Sequence, residues 1–256
     1  MHRIEIEHID FQYNQQPIFQ DLSVTFEEGE FCAVVGPNGS GKTTLLKCMA
    51  GLLNPTSGYI QVGARDIHDY SPIEFARNVS FVPQHQDTIF DLSVYEMVLM
   101  GRNPYQKHWQ MQSAEDEAIV MQMLEKCHIA QYRDRNISAL SGGELQRTLI
   151  ARAMAQQTPI MLLDEPLSNL DVSHKFEIMD ILAELNEVEK VTIVIVIHDF
   201  TMAIEYVRQA LLMRSGRVLA HDEAHAVLTP ENLRKCFCLD DSLLVTNQGL
   251  VTRIAK

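Results

Sequence analysis

The alternation of apolar and polar positions changes character several times along this chain, and each change marks a different element. Arg3-Ile4-Glu5-Ile6-Glu7 and Leu22-Ser23-Val24-Thr25-Phe26 alternate with a period of two, so each predicts a strand with one buried face. Glu27-Glu28-Gly29-Glu30 is a polar turn. Phe31-Cys32-Ala33-Val34-Val35 is apolar throughout, the pattern of a strand covered on both faces. A glycine-rich loop follows at once, and residues 43–50 predict a helix stopped by Gly51. Residues 58–82 suit short strands and turns, ending in Val79-Ser80-Phe81-Val82.

From Gln84 to about Gln156 the pattern is helical. Ala118, Met121 and Leu124 share one face at helical spacing, and residues 144–155 are rich in strong helix formers. Strand patterns return at Ile160-Met161-Leu162-Leu163 and across residues 191–197. Between them Ile178, Ile181, Leu182 and Leu185 mark one side of a helix, so the unit is βαβ with parallel strands. Residues 210–213 and 217–220 form strands about Ser215-Gly216; short helices and a hairpin-like pair around Asn247-Gln248-Gly249 follow. The pattern predicts one α/β unit over residues 1–256, with a core at 1–83 and 157–256 and a helical insert at 84–156.

Composition narrows the class. With 46% hydrophobic residues in 256 the chain can bury a full core. Twenty-one basic against 34 acidic residues leave a net charge of −13, which argues against a nucleic-acid-binding surface. No apolar run reaches membrane-spanning length, and Met1-His2-Arg3-Ile4-Glu5 has no apolar leader core. The five cysteines (Cys32, Cys48, Cys127, Cys236 and Cys238) are odd in number and scattered, as suits a reducing compartment. A cytoplasmic protein is expected, reaching a membrane only through a partner.

The candidate chemistry starts at Gly36-Pro37-Asn38-Gly39-Ser40-Gly41-Lys42-Thr43-Thr44. Its spacing, after an apolar strand and before a helix, is that of a phosphate-binding P-loop. Glycines let successive amides turn toward phosphates, and the helix adds the positive end of its dipole. Lys42 would reach the terminal phosphates and the Thr43 hydroxyl would ligate Mg²⁺. Asp164 and Glu165 end the apolar strand 160–163: Asp164 can hold the metal, and Glu165 can orient or deprotonate the attacking water.

With Leu140-Ser141-Gly142-Gly143-Glu144-Leu145-Gln146-Arg147 standing between the P-loop and that carboxylate pair, the chain resembles the ATP-binding cassette ATPases over essentially its whole length. The resemblance implies a P-loop NTPase core with a mainly parallel sheet, an antiparallel β subdomain and an inserted helical subdomain. It implies a homodimer in which Ser141, Gly142, Gly143 and Glu144 of one copy meet ATP seated in the other. Tyr13 matches the aromatic that stacks on adenine, and Gln84 the glutamine that senses metal and water. Ser168-Asn169-Leu170-Asp171 matches the loop that crosses the dimer interface, and His198 the switch histidine. Ser141 is equally an N-cap with Glu144 three positions on, a reading that does not compete.

The stretch 90–105, with Met100-Gly101-Arg102-Asn103-Pro104 near its end, is similar to ATPases of importers for iron–siderophore complexes, haem and vitamin B12. That branch implies a separate membrane permease and, indirectly, an extracytoplasmic substrate-binding protein, with this subunit peripheral on the inner membrane face. Other metal or molybdate importers share much of the stretch, and export or a nucleic-acid role stays as the alternative. The chain stops soon after the core, with no room for an added regulatory domain. His221, His225, Cys236 and Cys238 could in principle hold a metal, though the Cys-x-Cys gap is short for zinc.

Overall fold

The structure is a computed structural model that describes residues 2–84, 91–106, 113–168 and 170–239, with the backbone of two short strands beyond them. Two long strands open the chain, β1 (Ile4–Tyr13) and β2 (Gln16–Phe26), followed by β3 (Phe31–Val35) and α1 (Lys42–Met49). Next come β4 (Ser57–Val62), β5 (Arg65–Asp66), α2 (Pro72–Ala76) and β6 (Val79–Val82). Helices α3 (Val94–Leu99), α4 (Ala114–Lys126) and α5 (Gly142–Ala155) form the insert. The chain returns through β7 (Ile160–Leu163), α6 (Val172–Glu189), β8 (Thr192–Val196) and α7 (Phe200–Tyr206). It continues with β9 (Gln209–Arg214), β10 (Arg217–Glu223), α8 (Ala224–Val227) and α9 (Pro230–Phe237). The hairpin-like pair is β11 (Leu243–Val245) and β12 (Val251–Arg253), antiparallel as expected; its turn lies outside the described residues.

The central sheet has six strands in the order β10-β9-β3-β8-β7-β6, parallel except for the edge pair β10–β9. A second sheet, β2-β1-β4-β5, is antiparallel. Strand β3 shows why its sequence is apolar throughout: all five residues are buried, and alternate ones face opposite cores. Cys32 and Val34 join the antiparallel sheet and α1, where Phe19, Phe26, Leu45 and Leu46 are buried. Phe31, Ala33 and Val35 turn toward α5 and α6, where Ile150, Ile178 and Leu182 are buried. Each such fully buried Val, Leu, Ile or Phe side chain contributes roughly 1.5–3 kcal/mol relative to exposure.

The insert corrects one expectation. Ala118 is exposed and Met121 only half-buried; the inner face of α4 carries Asp116, Ile119, Val120, Met123 and Leu124. The rotation follows from a buried ion pair. Arg102 Nε donates to Asp116 Oδ1 at 2.8 Å, while its Nη1 donates to the Ala155 carbonyl at 2.8 Å and to Gln157 Oε1 at 2.9 Å. Asp116 must therefore face inward, and burial pushes its carboxyl up while hydrogen bonds from Arg102 and Ser113 outweigh this and hold it below the usual range. Beside it, a Cβ on Gly101 would sit 2.2 Å from the Arg152 carbonyl oxygen. The Gly101-Arg102 dipeptide thus locks the short helical turn after α3 onto the end of α5.

Candidate functional site

Four parallel strands end at the same edge of the sheet, and each delivers one part of the site. Strand β3 runs into the glycine loop, β6 leads to Gln84, β7 to Asp164 and Glu165, and β8 to His198. The carboxyl edge of an open parallel sheet is where such folds bind ligands.

The loop is fixed from behind by contacts the sequence does not announce. A Cβ on Gly36 would lie 2.1 Å from the Met213 carbonyl oxygen on β9, so only glycine passes there. The Gly216 amide donates to the Ser40 carbonyl at 3.0 Å, tying the β9–β10 turn to the loop. Gly41 takes φ 102° as the N-cap of α1; no side chain caps that helix, and its first turn carries no acidic residue. Ile18 of β2 closes one wall, with its Cγ2 3.2 Å from a Cβ built on Gly41.

A cavity of about 540 Å³ opens there, lined by Asn38, Gly39, Gly41, Lys42, Thr43 and Thr44 with Ile18 on one side, and by Gln84, Glu165 and His198 on the other. Lys42 is 5% exposed and donates from Nζ to the carbonyls of Gly36 (2.8 Å) and Pro37 (3.1 Å). Burial pulls its ammonium below the usual lysine range, and Glu165 and Asp164 pull it back. The Thr43 hydroxyl donates to Asp164 Oδ1 at 2.9 Å. Asp164 is 1% exposed, and burial pushes its carboxyl up against the opposing Thr43 hydrogen bond.

Glu165 is held at both oxygens. Gln84 Nε2 donates to Oε2 at 2.6 Å, and His198 Nε2 lies 2.7 Å from Oε1. Its backbone is left-handed at φ 49°, a conformation that costs a non-glycine residue roughly 1–2 kcal/mol. The Ser168 hydroxyl donates to the Glu165 carbonyl at 2.9 Å and steadies that turn. The donor set fits a polyphosphate with a hard divalent cation: oxygen ligands at Thr43 and Asp164, an ammonium beside them, and a buried Ser40 hydroxyl that no protein group satisfies.

Residues 19–168 match the family described as ABC transporter. This chain belongs to that family. The cobalamin import ATP-binding protein BtuD of Halobacterium salinarum is 35% identical over 91% of this chain, which spans 58% of that protein's length. The iron(3+)-hydroxamate import ATP-binding protein FhuC of Bacillus subtilis is 34% identical over 95% of this chain and 91% of its own. Among solved structures, an inward-facing metal-chelate type ABC transporter superposes with a TM-score of 0.82 at 31% identity, covering 93% of this chain and 90% of that one. A dimeric post-hydrolysis cassette, MJ0796 bound to ADP and Pi, gives 0.76 at 26% identity over 86% and 98%.

The rest of the predicted ABC residues lie away from this cavity. Ser141 and Gly142 are exposed at the start of α5, and neither lines the cavity that Lys42 and Glu165 share. Ser141 caps α5: its hydroxyl accepts from the Glu144 amide at 3.3 Å, and the Glu144 carboxylate accepts from the Ser141 amide at 2.7 Å. Gly143 is buried against the His174 ring, 3.2 Å from a Cβ built there. Asp171 caps α6, accepting from the His174 amide at 3.0 Å, and is exposed; Asn169 beside it lies outside the described residues, as do residues 85–90. Tyr13 ends β1, 44% exposed, with its ring edge-on to Phe11 at 4.8 Å. Among the described residues, no helix is long and apolar enough to cross a membrane.

Among the described residues the four tail residues that could in principle hold a metal, His221, His225, Cys236 and Cys238, form no common cluster. The Cys236 thiol is buried against the Met213 carbonyl at 3.4 Å, Cys238 meets Arg214 at 2.8 Å, and His221 turns instead toward Glu30. Sequence reasoning also passed over Ile18, Met213, Gly216 and His174, whose roles are tertiary. The glycine spacing around Gly216 was the one available signal, because glycine at a strand turn marks a close approach.

Proposed function

We propose that this chain is the ATP-hydrolysing subunit of an importer, working as a pair of copies beneath a separate membrane permease. The observation that carries the reading is the placement of Glu165, braced by Gln84 and His198 across one cavity from Lys42 and the glycine loop. In this reading the amides of residues 36–44 and the Lys42 ammonium hold the phosphates, and Tyr13 stacks on adenine. Thr43, Asp164 and Gln84 would hold Mg²⁺, which when bound neutralises charge on the terminal phosphates.

Glu165 orients the attacking water and accepts its proton, with Gln84 fixing one carboxylate oxygen and His198 the other. Lys42 stabilises charge that grows toward the transition state. Ser141, Gly142 and Gly143 do not line their own chain's cavity, and Ser141 with the amides of Gly142 and Gly143 completes the site of a second copy. Asp171 lies beside that interface. Hydrolysis and phosphate release remove the shared contacts and let the pair reopen, and the helical insert carries the motion to the permease.

The cargo class favoured is an iron chelate, haem or cobalamin, delivered by an extracytoplasmic binding protein. This follows the names of the relatives and the 90–105 stretch. The chain would then sit on the inner membrane face. The net charge of −13 speaks against a nucleic-acid partner. The test is Glu165→Gln: turnover should fall by about 10²–10⁴-fold while ATP affinity is kept. Sedimentation should then show an ATP-dependent dimer. Wild-type turnover in that variant contradicts the assignment.

A further inference from the structure

We propose that Glu30, Cys32 and His221 form a binding site for a thiophilic divalent cation, Zn²⁺ foremost, at the end of β3 opposite the glycine loop. Among the described residues these three bring a carboxylate oxygen, a thiol sulfur and an imidazole nitrogen within 4.8 Å of one another. Cys32 Sγ stands 3.8 Å from His221 Nε2, and Glu30 Oε1 stands 3.2 Å from the same nitrogen. Tetrahedral zinc with bonds of roughly 2.3 Å to sulfur and 2.0–2.1 Å to nitrogen and oxygen spaces S and N by about 3.5 Å, and N and O by about 3.3 Å. The donors already stand close to those separations.

The surroundings hold them there. The second Glu30 oxygen, Oε2, accepts from the Glu27 amide at 2.7 Å, and the Phe26 ring lies 5.4 Å from the His221 ring. Such outer contacts orient metal ligands. Cys32 is fully buried, the Glu30 side chain is 8% exposed and that of His221 20%, so the trio is dry on its inner side and open at the histidine. A fourth ligand, water, could enter by that opening. An ion pair between His221 and Glu30 needs no cysteine, yet the Cys32 thiol, which also lies 3.8 Å from the Ala33 carbonyl, stands 3.8 Å from the same nitrogen.

The mixed sulfur, nitrogen and oxygen set selects zinc-like ions over Mg²⁺. Binding exchanges one proton, that of the Cys32 thiol, for the ion. A bound cation would tie β10 to the β2–β3 turn, and so brace the strand that delivers the glycine loop about 13 Å away, from Cys32 to Gly36.

The experiment uses the full chain, stripped of metal with chelator and free of nucleotide, titrated with Co²⁺ as probe. Expected are one Co²⁺ per chain, a thiolate-to-cobalt charge-transfer band with tetrahedral visible bands, and displacement by Zn²⁺. Cys32→Ser should abolish the band. His221→Gln, at the open edge, should weaken affinity by more than the roughly 10–100-fold that losing an outer contact costs. It should also remove the rise in melting temperature that Zn²⁺ gives the natural chain. Cys238→Ser should change nothing. The absence of a thiolate band, a Co²⁺ affinity in His221→Gln equal to the natural chain's, or loss of the band in Cys238→Ser would each overturn the site.

Discussion

At the start of α1, Gly39 and Gly41 hold left-handed φ values of 78° and 102°, and no side chain caps the first turn. At the start of α5 neither glycine has a positive φ, and Ser141 and Glu144 cap each other. Glycine therefore serves conformation at Gly39 and Gly41, and room at Gly36 and Gly143. A Cβ on Gly142 would meet nothing within 4 Å, while one on Gly143 would press on His174. The loop before α1 lines a walled cavity, and no side chain caps the helix that follows it. The start of α5 is capped within its own chain, with Ser141 and Gly142 exposed and Gly143 buried. Its cap takes up both the amide and the hydroxyl of Ser141 with Glu144, and leaves the amides of Gly142 and Gly143 at the helix start to donate. That contrast is what the proposed site shared between two copies would require: one half binding alone, and the other contributing only on closure.

The largest break falls on the first string. Lys42→Ala should weaken ATP binding by about 10- to 100-fold, the loss of charge-assisted hydrogen bonds at roughly 1.5–3 kcal/mol, in equilibrium titration of the isolated chain. Ser141→Ala in the same titration should leave affinity unchanged and lower only pair-dependent turnover; an equal loss in both variants would erase the contrast.

Alanine at the two helix starts sharpens it further. Gly41→Ala should cost about 1–2 kcal/mol in thermal or denaturant melts, because it forces a side chain into the left-handed region beside Ile18. Gly142→Ala should stay within about 0.5 kcal/mol of the natural chain and still impair ATP-driven pairing. Equal stability losses would mean that both glycines serve the same purpose.

The smallest effect is acid sensitivity. Hydrogen bonds from Ser141, the backbone amide first, hold the Glu144 carboxyl below the usual glutamate range. A depressed folded value stabilises above the unfolded pKa and is lost as pH falls through the folded one. Amide exchange at the start of α5 should therefore rise below about pH 4, the lower side of the ordinary glutamate range. The start of α1 has no acidic first-turn residue and should not respond by this route. A matching rise at both helix starts would contradict the difference.

Much of the first string was legible because its chemistry is local: nine consecutive residues, a strand before and a helix after. The ends of β7 and β8 were legible for the same reason: Glu165 and His198 line the cavity, and Asp164 accepts from the Thr43 hydroxyl at its wall. The inner face of α4 was not, since Asp116 faces inward only because Arg102, fourteen residues earlier, is buried opposite it. Nor could spacing show that Met213 would crowd a side chain at Gly36 or that His221 on β10 reaches Glu30 just before β3. Periodicity reports one element at a time, and these contacts join elements that the sheet alone brings together.

The sharing of one triphosphate between two copies is tested most directly by a crystal structure of Glu165→Gln grown with ATP and Mg²⁺. The expected result is a pair in which the Ser141 hydroxyl of each copy lies within hydrogen-bonding distance of a γ-phosphate held by the other copy's Lys42. A structure in which each ATP is enclosed by one chain, with Ser141 facing solvent in every assembly, would contradict it.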